Sequence, residues 1–580
     1  MIWLVAVLFP LVLALLLGIA PIRGMIARHG VWIAPLPALA LAFWGGGMDP
    51  GFLPALFLGT SLHFGPYGQV FLLLAALLWT AAGVFAGSSA GSGSQQVRFA
   101  LFFLLTLCGN LGLTVAQDLA SFYVFFALMS FAAYGLIIHD RTPTALYAGR
   151  VYLTMAVIGE VILASGLYYA GVAGQSLLFG DISANLAAHD HAGLIFTLVF
   201  IGFGIKAGII GLHIWLPLAH PAAPTAASAV LSGVMIKAGL LGWMQFFPLG
   251  AGLSHWGMTL ALLGLIAAVY GVASGLTRHD PKTILAYSSV SQMGLMTMAF
   301  GFALLPGASE AESLISGLLL FVLVHGLAKA SLFLGVGVAK STARSSRQAP
   351  VVLAGLTLAG LILAGLPFTG GSLVKQSLKE GVGYLPQAWS GYFTAMLFVT
   401  AVGTMLLLAV LVWRVRETMA QGGKSAGIGM LGSWGAVAVL LLIAAPLLNT
   451  AFPEGPAAFT VSWLSIWDGI WPIALGMTAA AAFVRLNKGG VERRGLDDLV
   501  LAATDSALVR VLRAWRAGPL CDPSCGSINL VTWSDRLLQS QWMRTIPDML
   551  ERRLLYWHTV GLLFVALLLG FTVLAWWGMM

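Results

Sequence analysis

The sequence predicts an all-α polytopic membrane protein with about sixteen transmembrane helices. Three observations carry this class. Of 580 residues, 59% are hydrophobic and 9% charged, whereas soluble domains carry roughly 25% charged residues. Mean hydropathy is +0.93, and apolar runs of about 18 to 24 residues, the length that crosses hydrocarbon, recur along the chain. The 70 glycines predict close helix packing, because a residue without Cβ lets backbones approach. This composition excludes a soluble catalytic domain among the runs.

The first run, "IWLVAVLFPLVLALLLGIA", has no basic stretch before it and no small-residue cleavage site after it, so it is expected to remain as a first helix over 2–20. Further spans are predicted at 31–45, 69–87, 98–116, 118–138, 149–171, 193–215, 226–247, 256–277, 283–304, 313–339, 351–378, 392–413, 428–449, 468–485 and 557–578. Basic residues orient them. Arg23, Arg28, Arg98, Arg141, Arg150, Arg278, Lys282, Lys340, Arg344, Arg347, Arg414, Arg416 and Lys424 are assigned to loops that follow odd-numbered helices. Loops after even-numbered helices hold Asp181, Asp190, Glu310, Glu312 and Glu454, with Lys379 as a basic exception. By the positive-inside rule the first set faces the cytoplasm and both termini lie on the opposite side.

A polar segment from 486 to 556 interrupts the apolar pattern and, counted from Arg485 to Arg553, holds eleven of the 29 Lys and Arg residues. Within it "LDDLVLAATDSALVRVLRAWRA" sets apolar residues at helical spacing with arginines opposite. That pattern fits an amphipathic helix on the membrane surface or against a partner subunit, and equally a solvated cytoplasmic loop. Cys108 falls inside a helix, while Cys521 and Cys525 form "CDPSC" with no second pair nearby. A local disulfide or two free thiols fit that pair better than a metal centre, which needs more ligands.

Four lysines, Lys206, Lys237, Lys329 and Lys375, remain near mid-membrane with no loop to hold them. One acid shares their depth: Glu160, in "VYLTMAVIGEVILASG". Asp118 lies at a helix boundary and is expected to be wetted. Charges at the bilayer centre cost several kcal/mol, so such residues pair, face a hydrated interior or mark an ion path. Four lysines cannot all pair with one glutamate. Burial disfavours an ammonium and an opposing carboxylate favours it, so a lysine between these influences releases its proton when a neighbouring charge moves.

Imidazole titrates near neutral pH and passes protons through either nitrogen. His325 and Lys329 are four apart in "VHGLAKASLFLG", on one helix face, and make the strongest relay candidate. His213, two turns beyond Lys206, and His220 in the proline-rich stretch are accessory candidates, with Ser232 and Asp118. Breaks are expected at Pro217 to Pro224 and around Pro367, since unwound backbone at membrane depth needs protein or water to satisfy it. Paired discontinuous helices point to an ion site, and each break has a lysine beside it, Lys206 and Lys375.

The stretches "KAGIIGLHIWLPLAHPAAPTAASAVLSGVMIKAG", "RHDPKTILAYSSVSQMGLM", "HGLAKASLFLGVG" and "GLPFTGGSLVK" follow in order across roughly residues 100–415. On these motifs the chain resembles the antiporter-like proton-conducting subunits of respiratory complex I, Mrp-type cation/proton antiporters and membrane-bound group 4 hydrogenases. "LPLAHPAAP" and "SGVMIKAG" most resemble the large antiporter-like subunit of hydrogenase-4 and formate hydrogenlyase. The resemblance implies two inverted five-helix repeats, each with a broken helix, at 98–255 (helices 4–8) and 256–415 (helices 9–13). Around them lie helices 1–3 at 1–97, helices 14–15 at 416–485, the basic segment 486–556 and a last helix at 557–580.

It also implies roles. Lys206 matches the lysine of the first broken helix, Lys237 the central lysine, His325 and Lys329 the connecting pair, and Lys375 the terminal residue of the second broken helix. The family's fifth helix usually carries a glutamate in a W-E-L-M-S-like motif; here the stretch is "FFALMS", with Ala127 in its place. Glu160 is expected to serve instead. Ser232 stands where many relatives have histidine, and a hydroxyl conducts only with water beside it.

The expected function is proton translocation along Glu160, Lys206, Lys237, His325, Lys329 and Lys375 in a multisubunit, redox-driven complex of the inner membrane. Alternatives are a sodium/proton antiporter subunit, a subunit energising inorganic-carbon uptake, and a non-conducting assembly subunit, which Ala127 allows. No cysteine cluster for iron–sulfur ligation and no nucleotide-binding glycine motif is present, so no cofactor, metal or autonomous active site is expected. Other membrane subunits, a redox module carried by partners, and lipid are the expected partners; nucleic acid is not.

Overall fold

Apolar helices satisfy their own backbone hydrogen bonds, and this chain builds almost entirely from them. The computed structural model describes residues 2–486 except 55, 90–92, 187–188, 250–251, 306–307, 420–424 and 452–462. All of these fall in one unit, Met1–Arg493. Glu454, Cys521, Cys525, the basic segment beyond Leu486, the helix expected at 557–580 and the side chain of Glu310 lie outside the described residues. Among the described residues ten helices are long and apolar enough to cross a membrane, and Ile2–Leu16, Ala192–Ala207, Gln348–Leu363 and Ile428–Leu442 are shorter apolar helices.

Local chemistry sets the helix starts. Asp118 caps Leu119–Ile137, Thr142 caps Pro143–Gly174 and Asp280 caps Pro281–Ala303, each accepting from a backbone N–H of the first turn. Pro143 and Pro281 open their helices, where the missing N–H is not needed. An unpredicted antiparallel pair, Gly51–Leu53 with Thr60–Leu62, packs by the Asp118 cap.

The glycine expectation is met most clearly between Ser254–Leu276 and Pro281–Ala303. A Cβ on Gly264 would strike the Gly294 carbonyl, and one on Gly294 the Gly264 carbonyl, so these two backbones touch. At the centre stand Thr225–Phe246, with 94% of its apolar window buried, and the long helix Ala308–Lys340, whose window is buried throughout. These two enclosed helices carry Lys237, His325 and Lys329.

Candidate functional site

The first interruption lies earlier than the prolines suggested. Helix Ala192–Ala207 stops because Gly208 and Gly211 take φ of +70° and +83°, a backbone that residues with Cβ adopt only under strain. Helix restarts at Trp215, so Pro217 sits in a first turn and is tolerated there. Pro224 marks a short break before Thr225, within the same interrupted region. Lys206 thus occupies a last helical turn, among carbonyls that favour a cation.

Lys206 Nζ donates to Ser130 Oγ at 3.1 Å and to Tyr152 Oη at 3.0 Å. Tyr152 Oη in turn donates to the Ser130 carbonyl at 2.7 Å. Ser130 also interacts with the Glu160 carboxylate, and the charges of Glu160 and Lys206 act on each other. Both are buried, and with Ser130 and Tyr152 they line a cavity of about 10 Å³, room for about one water. Glu160 Oε2, which has no protein hydrogen-bond partner, is free to bond that water. Glu160 therefore does face Lys206 from the following helix.

A second group surrounds the central helices. Residues 231–235 form a wider π-helical turn, a feature frequent at functional sites, and Lys237 Nζ donates back to the Ser232 carbonyl at 2.6 Å. Ser232 Oγ lies 2.7 Å from Ser289 Oγ, which donates to the Leu285 carbonyl at 3.0 Å. Lys329 Nζ reaches the same carbonyl at 3.0 Å and also donates to Ser288 Oγ. The Ser232–Ser289 hydroxyl pair thus lies between the carbonyls to which Lys237 and Lys329 donate. Both ring nitrogens of His325 and of His220 are buried with no protein hydrogen-bond partner, and both rings feel the charges of Lys237 and Lys329.

The third group sits at the second interruption. Helix Gln348–Leu363 ends before Gly365 and Phe368, at φ +89° and +61°, and Gly370–Val382 resumes with Lys375 in its middle. A Cβ on residue 365 would collide with the Lys375 side chain, so glycine there makes room for the lysine. Lys375 Nζ is buried with no protein hydrogen-bond partner, at a cavity of about 280 Å³ that Gln292, Thr404, Lys379 and Asp468 also line. Lys379 pairs with Asp468. Phe321, edge-on to His325 with ring centroids 6.4 Å apart, separates this cavity from the central group.

Direct hydrogen bonds and cavities gather the predicted row around Lys206, around Lys237 with Lys329, and around Lys375. Two expectations need correction. Asp118 is not wetted: fully buried, its carboxylate accepts from the backbone N–H groups of Ser61 and Ser121 and from the Ser121 hydroxyl, which leaves it a capping residue. Lys282 is not a loop cation: it is 5% exposed, and its Nζ donates to the Ala223 carbonyl at 2.6 Å, beside the central group. His213 packs on Tyr270, with centroids 5.1 Å apart. Sequence reasoning missed Ser130, Tyr152, Ser288, Ser289 and Asp468. The serines stood in quoted motifs, "FFALMS" and "AYSSVSQ", but hydroxyls carry no burial cost large enough to flag them.

Comparison with known proteins agrees with this architecture. Residues 116–404 match the family model described as NADH:quinone oxidoreductase/Mrp antiporter, TM. Hydrogenase-4 component B of Escherichia coli is 34% identical over 256 residues, 43% of this chain and 38% of that protein, so the match spans well under half of the relative. NAD(P)H-quinone oxidoreductase chain 4 1 of Picosynechococcus is 28% identical over 73% of this chain and 83% of the relative. A structure of the membrane-bound sulfane sulfur reductase, an archaeal respiratory membrane complex, has a chain with TM-score 0.72 and 21% identity, covering 93% of this chain and 99% of its own. The Mrp complex from Dietzia has one at TM-score 0.70 and 21% identity, covering 91% and 62%. With the lysines, the two interruptions and the enclosed central helices in place, this multi-pass membrane chain belongs to the antiporter-like subunit family of NADH:quinone oxidoreductases and Mrp antiporters.

Proposed function

We propose that this chain translocates protons as a membrane subunit of a redox-driven, multisubunit complex in the inner membrane. The observation that carries the reading is the Glu160–Ser130–Lys206 arrangement, because it restores an acid–lysine switch where Ala127 had removed the family's acid. A proton loads Lys206 when Glu160 is charged and leaves when that charge is compensated. The Ser232–Ser289 hydroxyl pair between Lys237 and Lys329 supports the lateral step, with water completing the relay because backbone carbonyls only accept, and the cavity at Lys375 supports exit. Water links the three groups across their gaps. The two interruptions support assigning 98–255 and 256–415 as inverted repeats, and the basic loops after odd-numbered helices support a sixteen-helix chain with both termini outside the cytoplasm.

The kinship to hydrogenase-4 component B and NAD(P)H-quinone oxidoreductase chain 4 supports an assembly whose redox module is carried by partners. The test isolates the assembly through a tagged chain, identifies the copurifying module, reconstitutes it in vesicles and follows proton uptake during turnover. Lys237→Ala should cut protons moved per turnover by about tenfold or more. Unchanged uptake would make this a non-conducting assembly subunit.

A further inference from the structure

The pair Lys379–Asp468 lies at the far end of the lysine series and has no part in the pathway above. Lys379 follows Lys375 by one helical turn on Gly370–Val382, so both project to the same side. Asp468 arrives 89 residues later, on Trp463–Leu486, a helix outside the stretch that matches the family model. Its neighbour Gly469 fixes its place: a Cβ there would meet Pro367 Cγ at 2.8 Å and the Gly365 carbonyl at 3.3 Å. The two helices therefore press together at the second interruption itself.

Three features make this more than a structural ion pair, which at a partly exposed site adds little stability. The Asp468 charge acts on Lys375 as well as on Lys379. All three side chains line the cavity of about 280 Å³, with room for several waters. Exposure is graded along the series: Lys375 Nζ is buried, whereas the Lys379 and Asp468 side chains are 37% and 27% exposed. The series leads from the interior to the surface.

We propose that Asp468 is the terminal proton acceptor, taking the proton of Lys375 across the cavity and releasing it to water at the surface, with Lys379 as its counter-ion. An N–H bond of the Lys375 ammonium breaks and an O–H bond forms on the Asp468 carboxylate, leaving a neutral amine and a neutral acid. The acid then gives its proton to surface water, and the Lys379 ammonium recovers its carboxylate partner. No oxidant or reductant takes part. This proposal rests on the proton-translocating reading, with Lys375 as the last interior carrier.

The test uses the reconstituted assembly and reads protons moved per turnover. Asp468→Asn should lower that ratio about tenfold while the partner module's own turnover persists, and Asp468→Glu should stay within about twofold of the parent. The double variant Asp468→Asn with Lys379→Gln removes both charges and should remain as low as Asp468→Asn alone. A parental ratio in Asp468→Asn, or recovery in the double variant, would leave the pair a mere structural tie and overturn the proposal. If Asp468→Asn fails to assemble, the double variant, free of an unpaired charge, decides. Sensitivity to Lys237→Ala without sensitivity at 468 sinks this proposal alone; insensitivity at both sinks the underlying function with it.

Discussion

Ser130 holds the first group together with a single hydroxyl, accepting from Lys206 Nζ while interacting with Glu160. A carboxylate and an ammonium in direct contact would trap each other, because a close buried pair is strongly bound once desolvated. An intervening hydroxyl keeps the charges coupled yet leaves the proton mobile. Glu160→Gln should therefore cut protons per turnover by about tenfold with little change in assembly, since the amide keeps shape and loses charge. Ala127 lies one turn before Ser130 on the same helix. Adding Ala127→Glu to Glu160→Gln should restore a substantial part of the ratio, measured in the same vesicles; a double variant no better than Glu160→Gln would mean that position 127 does not see Lys206. Charge made half of this legible in advance. Lys206 and Glu160 stood out because ions in hydrocarbon are expensive, whereas Ser130 and Tyr152 are ordinary in any membrane helix and only the fold brings them to the lysine.

The interruptions were legible in kind but not in place. Proline is the obvious breaker in "HIWLPLAHPAAP", yet the helix carrying Lys206 ends earlier, at Gly208, because only its neighbours decide which glycine takes a left-handed turn. At Pro367 the expectation held, and there Gly365 and Phe368 turn the chain. Lys282 was misplaced for a related reason. A cation beside a helix start reads as a loop residue, but here the carbonyl of Ala223, freed by the short break at Pro224, draws it inward. Gly208→Ala tests the first interruption directly: φ of +70° with a Cβ costs about 1 to 2 kcal/mol, and the new methyl also meets Leu216. Thermal unfolding of the assembly in detergent should show a lower midpoint for Gly208→Ala and an equal or higher one for Gly180→Ala, a helical position where a Cβ meets open space. Equal midpoints would mean that the glycine is not what ends this helix.

The distribution of charge across the fold bears on which ion the chain carries. The interior groups contain Lys206, Lys237, Lys282, Lys329 and Lys375 against Glu160 and the partly exposed Asp468. Sodium is held by several oxygen ligands, backbone carbonyls among them, and is repelled by ammonium groups, more strongly where water is excluded. Among the described residues no group of three or more His, Cys, Asp or Glu side chains converges on one point. A proton needs no such cage; it needs amines and hydroxyls within reach of one another, which the central group supplies. Proton uptake by vesicles holding the assembly should therefore be indifferent to sodium. Replacing sodium by choline at constant ionic strength should change the initial rate by less than about twofold, since general screening is held fixed. A rate that collapses without sodium and returns with it would favour a sodium/proton antiporter subunit instead. It would also require the sodium ligands to lie outside the lysine groups.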